Sequence, residues 1–192
     1  MDIARPDRWL IIGGHVALDL CNTRAWRLDS NRSIDRLHDW ADVLDWYATV
    51  SPDAGPVDGD GDVERIRALR DATIAVLDAH VEGRAPGADG LRVILNEYRE
   101  FVHAASPEPG LPLTLRITRP TAADLPLLLA SSVVNLLRDH DLTRLRRCDG
   151  AGCGSFFFDH TRNHSRRWCA PDDCGNRHRV RAYARRHSPR RK

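Results

Sequence analysis

Cys148 and Cys153 are separated by four residues, Cys169 and Cys174 by four more, and fifteen residues lie between the pairs. No other feature restricts the fold of this chain so strongly. Two cysteine pairs with short internal spacing and moderate separation match a four-thiolate tetrahedral zinc site. Each pair reads as a tight knuckle. Gly150, Gly152 and Gly154 around the first, and Gly175 after the second, permit the positive-φ conformations such turns use. A module of about 45 residues has too little apolar mass to fold alone, so a metal staple is physically needed. Four thiolates leave no open coordination position, so Cys148, Cys153, Cys169 and Cys174 are expected to hold one structural Zn2+ with no catalytic role. The alternative is four buried, unligated thiols. His160 and His164, between the pairs, read as solvated or hydrogen-bonded loop residues, with replacement of a thiolate as the other option.

The thiol reading depends on compartment. No run of about 18 apolar residues exists, so no spanning helix and no membrane partner are expected. Met1 to Leu20 holds Asp2, Arg5, Asp7 and Arg8 before a four-residue apolar run, too short for a signal-peptide core. The expectation is a cytoplasmic protein, where cysteines are thiols or metal ligands and not disulfides. Cys21, alone among apolar neighbours, reads as a buried inert thiol, against the alternative of a redox sensor.

Charge divides the chain. Residues 141–192 hold 14 of the 29 Lys and Arg but 5 of the 27 Asp and Glu, a net +9 against −7 for residues 1–140. An acidic body, 1–140, and a basic module, 141–192, suggest parts with different partners. The body reads as mainly α with minor β. Trp9–Ile12 and Val16–Leu20 flank Gly13-Gly14 as short extended pieces, the second alternatively opening a helix. Ser33 precedes Ile34, Leu37, Trp40, Leu44 and Tyr47 at helical spacing, which predicts an N-cap at Ser33. Residues 51–62 form a Gly/Pro/Asp loop. Helical stripes follow at Ile66–Leu77, ending near Gly83, and at Leu91–Val102. Leu113–Thr118 alternates as a strand, and a helix is predicted over about Ala122–Asp139 with Pro126 in its first turn. These faces suffice for a core without a cofactor, and the body is expected to fold by itself.

Arginine surrounds the cysteines. Arg162, Arg166 and Arg167 lie between the pairs, and Arg177, Arg179, Arg181, Arg185 and Arg186 follow. Residues 176–187 lack Gly and Pro. As a helix they place Arg177, Arg181 and Arg185 on one face, a like-charge row that a polyanion would relieve. These eight arginines are the candidate nucleic-acid contacts; a solvated tail that binds nothing is the alternative. Phe156, Phe157, Phe158, Trp168 and Tyr183 are expected to build the small core around the metal, with base stacking as the other reading.

The segment from Arg147-Cys148 through Phe157, Asp159 and Thr161-Arg162-Asn163 to Arg166-Arg167-Trp168-Cys169 and Cys174-Gly175-Asn176-Arg177 resembles the CGNR zinc finger family. The stretch Gly13-Gly14-His15-Val16-Ala17-Leu18-Asp19-Leu20-Cys21-Asn22-Thr23 is similar to the opening of the ABATE domain, which commonly precedes such a finger. The resemblance implies a bacterial cytoplasmic protein, zinc on the four Cys, and a role in nucleic-acid binding and stress-linked transcription regulation. The chain departs from the family at Ala170-Pro171, where Pro171 bears on the second knuckle, and at His178-Arg179, where the charge is kept.

Asp19, Asn22 and Thr23 are candidate pocket residues for a small-molecule sensor; the competing reading is a helix or turn cap. The leading function is a nucleic-acid-binding regulator, with DNA ahead of RNA and the body serving homodimerisation or sensing. The alternatives are a protein-interaction adaptor with the finger as platform, or a sensor domain. No Ser-His-Asp elbow, P-loop or HExxH motif supports an enzyme, and none is expected.

Overall fold

His15 begins the first helix, and the chain before it is folded back onto that helix's first turn. In the computed structural model, which describes residues 8–187, α1 is Val16–Asn22, with His15 capping it by accepting from the Ala17 N–H at 3.2 Å. The Asp19 carboxylate accepts from Ile12 N–H at 3.0 Å and Gly13 N–H at 2.7 Å. That turn leaves Trp9–Ile12 without a strand partner and makes Val16–Leu20 helical. Gly13 has no room for a side chain: a Cβ there would lie 2.6 Å from Leu18 Cβ.

β1 (Arg24–Ala25) pairs antiparallel with β2 (Ile34–Asp35), and α2 runs Trp40–Val50 from an Asp39 cap. The helix predicted with Ser33 as its N-cap therefore starts six residues late. The reason is tertiary. Asp35 receives two 2.6 Å hydrogen bonds from the guanidinium of Arg70, whose side chain is 1% exposed. A buried cation must be paired, and a strand at Ile34–Asp35 delivers the carboxylate.

α3 (Val63–Val81) and α4 (Ala88–Ala104) match their apolar stripes, and the first stops before Gly83 as predicted. The strand expected over Leu113–Thr118 is confined to β4 (Leu115–Arg116), paired with β3 (Ser106–Pro107). α5 is Leu125–Asp139, entered through a single 3-10 turn at Ala122–Asp124. α1 is the centre of the core: Leu18 and Leu20 are fully buried and pack with residues of α3 and α5. Among the described residues no helix is long and apolar enough to cross a membrane.

After residue 140 come β5 (Leu145–Arg147) and β6 (Phe156–Phe158), an antiparallel pair, then a π-helical turn at Pro171–Gly175 and α6 (Asn176–His187). The fold is mainly helical, with short strands and a C-terminal cysteine module ending in a basic helix. The apolar core is continuous across residue 140. Strand alternation turns Phe156 and Phe158 into the body's core beside Leu145, and Phe157 into the cysteine cluster. The expectation that all the finger aromatics surround the metal is thus corrected for Phe156 and Phe158. It is also corrected for Tyr183, which is 60% exposed.

Candidate metal centre and nucleic-acid interface

The four cysteines reach one point from three pieces of chain. β5 delivers Cys148, the first knuckle delivers Cys153, and Cys169 and Cys174 flank the start of the π-helical turn and its end. All four are buried, and their Sγ atoms lie within 4.8 Å of one another. Cys153 and Cys169 Sγ are 3.7 Å apart, far beyond a disulfide bond. Thiolates about 2.3 Å from a shared zinc would stand about 3.8 Å apart at tetrahedral angles. The donor set therefore fits one structural zinc.

Local geometry supports that fit. Gly150 and Cys169 both donate N–H to Cys148 Sγ at 3.3 Å, and Ser155 Oγ lies 3.3 Å from Cys153 Sγ. Gly150 is required for space: a Cβ there would sit 2.9 Å from Cys174 Sγ. Gly152 and Gly154 have positive φ, as the knuckle reading predicted; Gly150 and Gly175 do not, and Gly175 packs against Trp168 instead. Pro171 occupies the first position of the π-helical turn and is accommodated there.

Electrostatics call for a cation. Hydrogen bonds from Cys148 and Cys169 pull the Cys153 thiol down to about 2. A hydrogen bond with Cys153 holds the Cys148 thiol above its ordinary value, and hydrogen bonds with Cys148 and then Cys153 do the same for Cys169. Burial, then the charge on Cys153, pushes Cys174 up to about 12. Four thiolates this close together repel one another, and a divalent ion lets them coexist. Cys21 lies apart, buried in the body, its thiol pushed up to about 12 by burial. That is the chemistry of an inert thiol.

Asp159 and Arg27, neither of them a candidate site residue by sequence, hold the loop between the pairs. Asp159 is buried and accepts from Thr161 N–H at 2.8 Å, Thr161 Oγ at 2.6 Å and Arg166 N–H at 2.9 Å. Burial works to raise its pKa, but hydrogen bonds from Thr161 and Arg166 outweigh that and hold the carboxyl below its usual range. The Asp-x-Thr spacing was the visible sign, since these residues close turns on their own backbone. Arg27 reaches from the body to Gly154 O at 2.8 Å and pairs with Asp78 through two 2.7 Å bonds, its guanidinium over the Phe156 ring.

The eight candidate arginines fall into three groups. Arg166 is turned inward: its guanidinium donates to the carbonyls of Cys169 at 2.7 Å, Trp168 and Phe158, and stacks over Phe157. It pins the second knuckle and has no reach left for phosphate. Arg167 pairs with Asp149 at 2.7 Å, Arg177 with Asp173 at 2.6 Å, and Arg179 reaches the Pro171 carbonyl. Arg162, Arg181, Arg185 and Arg186 are exposed and have no side-chain partner among the described residues. Arg177, Arg181 and Arg185 line one cleft, as helical spacing predicted.

Asp19, Asn22 and Thr23 are each engaged in hydrogen bonds within the fold. Asp19 lines a shallow groove with His15 and Arg166. Asn22 is engaged with Phe156, and the Thr23 hydroxyl donates to Leu20 O at 2.7 Å. Asp19 and Thr23 do the work of caps and Asn22 of a clasp.

Two family models match the chain. ABATE, described as "Putative stress-induced transcription regulator", matches residues 14–140, and CGNR zinc finger matches residues 144–187. No curated protein matches the sequence.

Proposed function

The chain belongs to the ABATE family and carries a CGNR zinc finger, and from that premise we propose that it is a zinc-dependent regulator that grips nucleic-acid phosphates with α6. One observation carries this reading. Over residues 176–187 the helix bears five arginines and no acidic residue, and nearly all of it is exposed. A solvated row of like charge is relieved by a polyanion, and each phosphate contact releases counterions. The zinc turn fixes the start of α6, so less ordering entropy opposes binding. Duplex DNA is the proposed target. The body supplies sensing or homodimer contacts, the protein works in the cytoplasm under stress, and the closed thiolate site performs no catalysis.

The test is fluorescence anisotropy on labelled duplex DNA and RNA across a salt series. If about five arginines touch phosphate, log affinity falls against log salt with a slope of about −4 to −5 on duplex DNA. Arg181→Ala/Arg185→Ala flattens the slope by about two and weakens all sequences alike. A variant that binds like the parent at low and high salt removes α6 as the nucleic-acid surface. The adaptor reading would then lead, since Val180 and Tyr183 are 59% and 60% exposed on the same helix.

A further inference from the structure

Trp26 stands at the junction of body and finger, and its surroundings are not those of an ordinary packing residue. It follows β1 with φ of 53°, a left-handed conformation that is costly for a bulky side chain. Its half-buried ring packs on the cysteine cluster. Two guanidinium groups lie on that ring, Arg32 at 3.6 Å and Arg177 at 4.6 Å from its centroid. Beyond Arg177 the ring forms one wall of a cleft of about 170 Å³, whose other walls are Gly150 and Ala151 of the first knuckle and the row Arg177, Arg181, Arg185. Asp149 also borders the cleft, but its carboxylate is paired with Arg167. Cys174 of the metal cluster and His178, which rests on Trp168, complete the lining.

We propose that this cleft seats a phosphate group, with Trp26 of the body as a working wall of the site. Three cationic side chains converge on a space large enough for a phosphate with part of its hydration. Arg177 is held in place twice, by Asp173 at 2.6 Å and by the indole, so its charge is presented with little freedom left to lose. Arg181 and Arg185 close on the anion from the same helix face. The binding surface is thus built jointly by body and finger: the finger contributes the arginines, and the body sets the wall against which they work. This deepens the proposed function and rests on it. The phosphate belongs either to a nucleic-acid backbone or to a free polyphosphate, and the two differ in whether they compete.

Full-length zinc-loaded protein is titrated with inorganic pyrophosphate and, separately, with a labelled DNA duplex, for the parent, Trp26→Leu and Arg181→Ala/Arg185→Ala. Losing the cation–π contact that holds Arg177 is expected to weaken both ligands roughly two- to fivefold in Trp26→Leu, with zinc content unchanged. Pyrophosphate displacing the duplex assigns the cleft to backbone phosphate; pyrophosphate bound without displacement assigns it to a free anion. If Trp26→Leu binds both ligands as the parent does while the double arginine variant binds neither well, the cleft is wrong and the α6 reading stands. If neither variant changes anything, both fall. Should Trp26→Leu lose zinc, tryptophan emission decides. The parent's emission is expected to change on pyrophosphate addition and that of Trp26→Phe is not. Equal changes in both place the anion away from Trp26 and overturn the proposal.

Discussion

The Asn22 amide is joined to Phe156 by two hydrogen bonds of 2.9 Å, accepting from its N–H and donating to its carbonyl. Asn22 ends α1, Phe156 begins β6, and they lie 134 positions apart. The side chain acts as a one-residue strand partner, which satisfies the buried edge of β6 and fixes how the finger sits on the body.

Asn22→Ala leaves a buried N–H and a buried carbonyl without partners. Each such group costs about 1–3 kcal/mol, so a total loss of about 2–6 kcal/mol in urea unfolding is expected. Asn22→Asp is no better, because it cannot donate to the Phe156 carbonyl and brings a charge into the core. A loss below about 0.5 kcal/mol, the scale of an ordinary surface change, would show that the clasp contributes little.

This clasp marks the limit of what the sequence made legible. The zinc ligands were readable because their spacing is local, and chelation needs only that four thiols fall within one small module. α3, α4 and α6 were readable because a 3.6-residue stripe or an unbroken run suffices to specify them. The Ile34–Asp35 strand was not. Its residues have helical spacing, and the partner that overrides it, Arg70, lies 35 positions away. Phe156-Phe157-Phe158 looked like a finger core because composition cannot say which face of a strand meets which neighbour. Arg166 looked like a phosphate contact because only the folded chain puts four carbonyls around it.

The zinc expectation is one ion per chain, lost in Cys153→Ser and retained in Cys21→Ser. Chelation is expected to reach past the finger, since β6 carries Phe157 in the cysteine cluster and Phe156 and Phe158 in the body's core. Hydrogen exchange should therefore rise at β6 and at α1 together. Exchange confined to residues 148–187 would mean that the two clusters melt independently.

His15 makes stability depend on pH. Burial, helped by the nearby charge of His140, lowers its pKa from 6.5 to about 4. The two rings meet edge to face at 4.7 Å, and His140 also stacks on Phe158, which His160 approaches from the finger. The folded state keeps His15 neutral, while the unfolded chain takes a proton below about 6.5. Stability is therefore full above that pH and is lost as pH falls toward 4. Protonation also converts Nδ1 from acceptor to donor, removing the cap from the Ala17 N–H, and puts a cation at a helix N-terminus. After allowance for partial exposure, the loss from pH 7 to pH 5 is about 1 kcal/mol. His15→Asn, which can cap without titrating, should flatten that part of the profile. An unchanged slope would assign the effect to other groups.

A chain ending at residue 140 tests whether the acidic body folds by itself. Its helices are complete, but Leu145, Phe156 and Phe158 belong to its core, and Arg147 supplies a 2.7 Å bond to Asp78 of α3 and a 2.8 Å bond to Glu82, which caps that helix. Burying each apolar side chain contributes about 1.5–3 kcal/mol, so the three together approach the whole stability of a small domain, about 5–15 kcal/mol. Asn22 would in addition face solvent where it now pairs with β6. The truncated chain is expected to keep its helical circular dichroism, to bind a hydrophobic dye, and to melt broadly at a lower temperature than the parent. Zinc cannot rescue it, because the ligands are gone. Extending the chain to residue 187 should restore both the sharp transition and the metal. A truncated chain with a sharp transition at the parent's temperature would mean that the finger rests on a finished core and that β6 adds nothing to it.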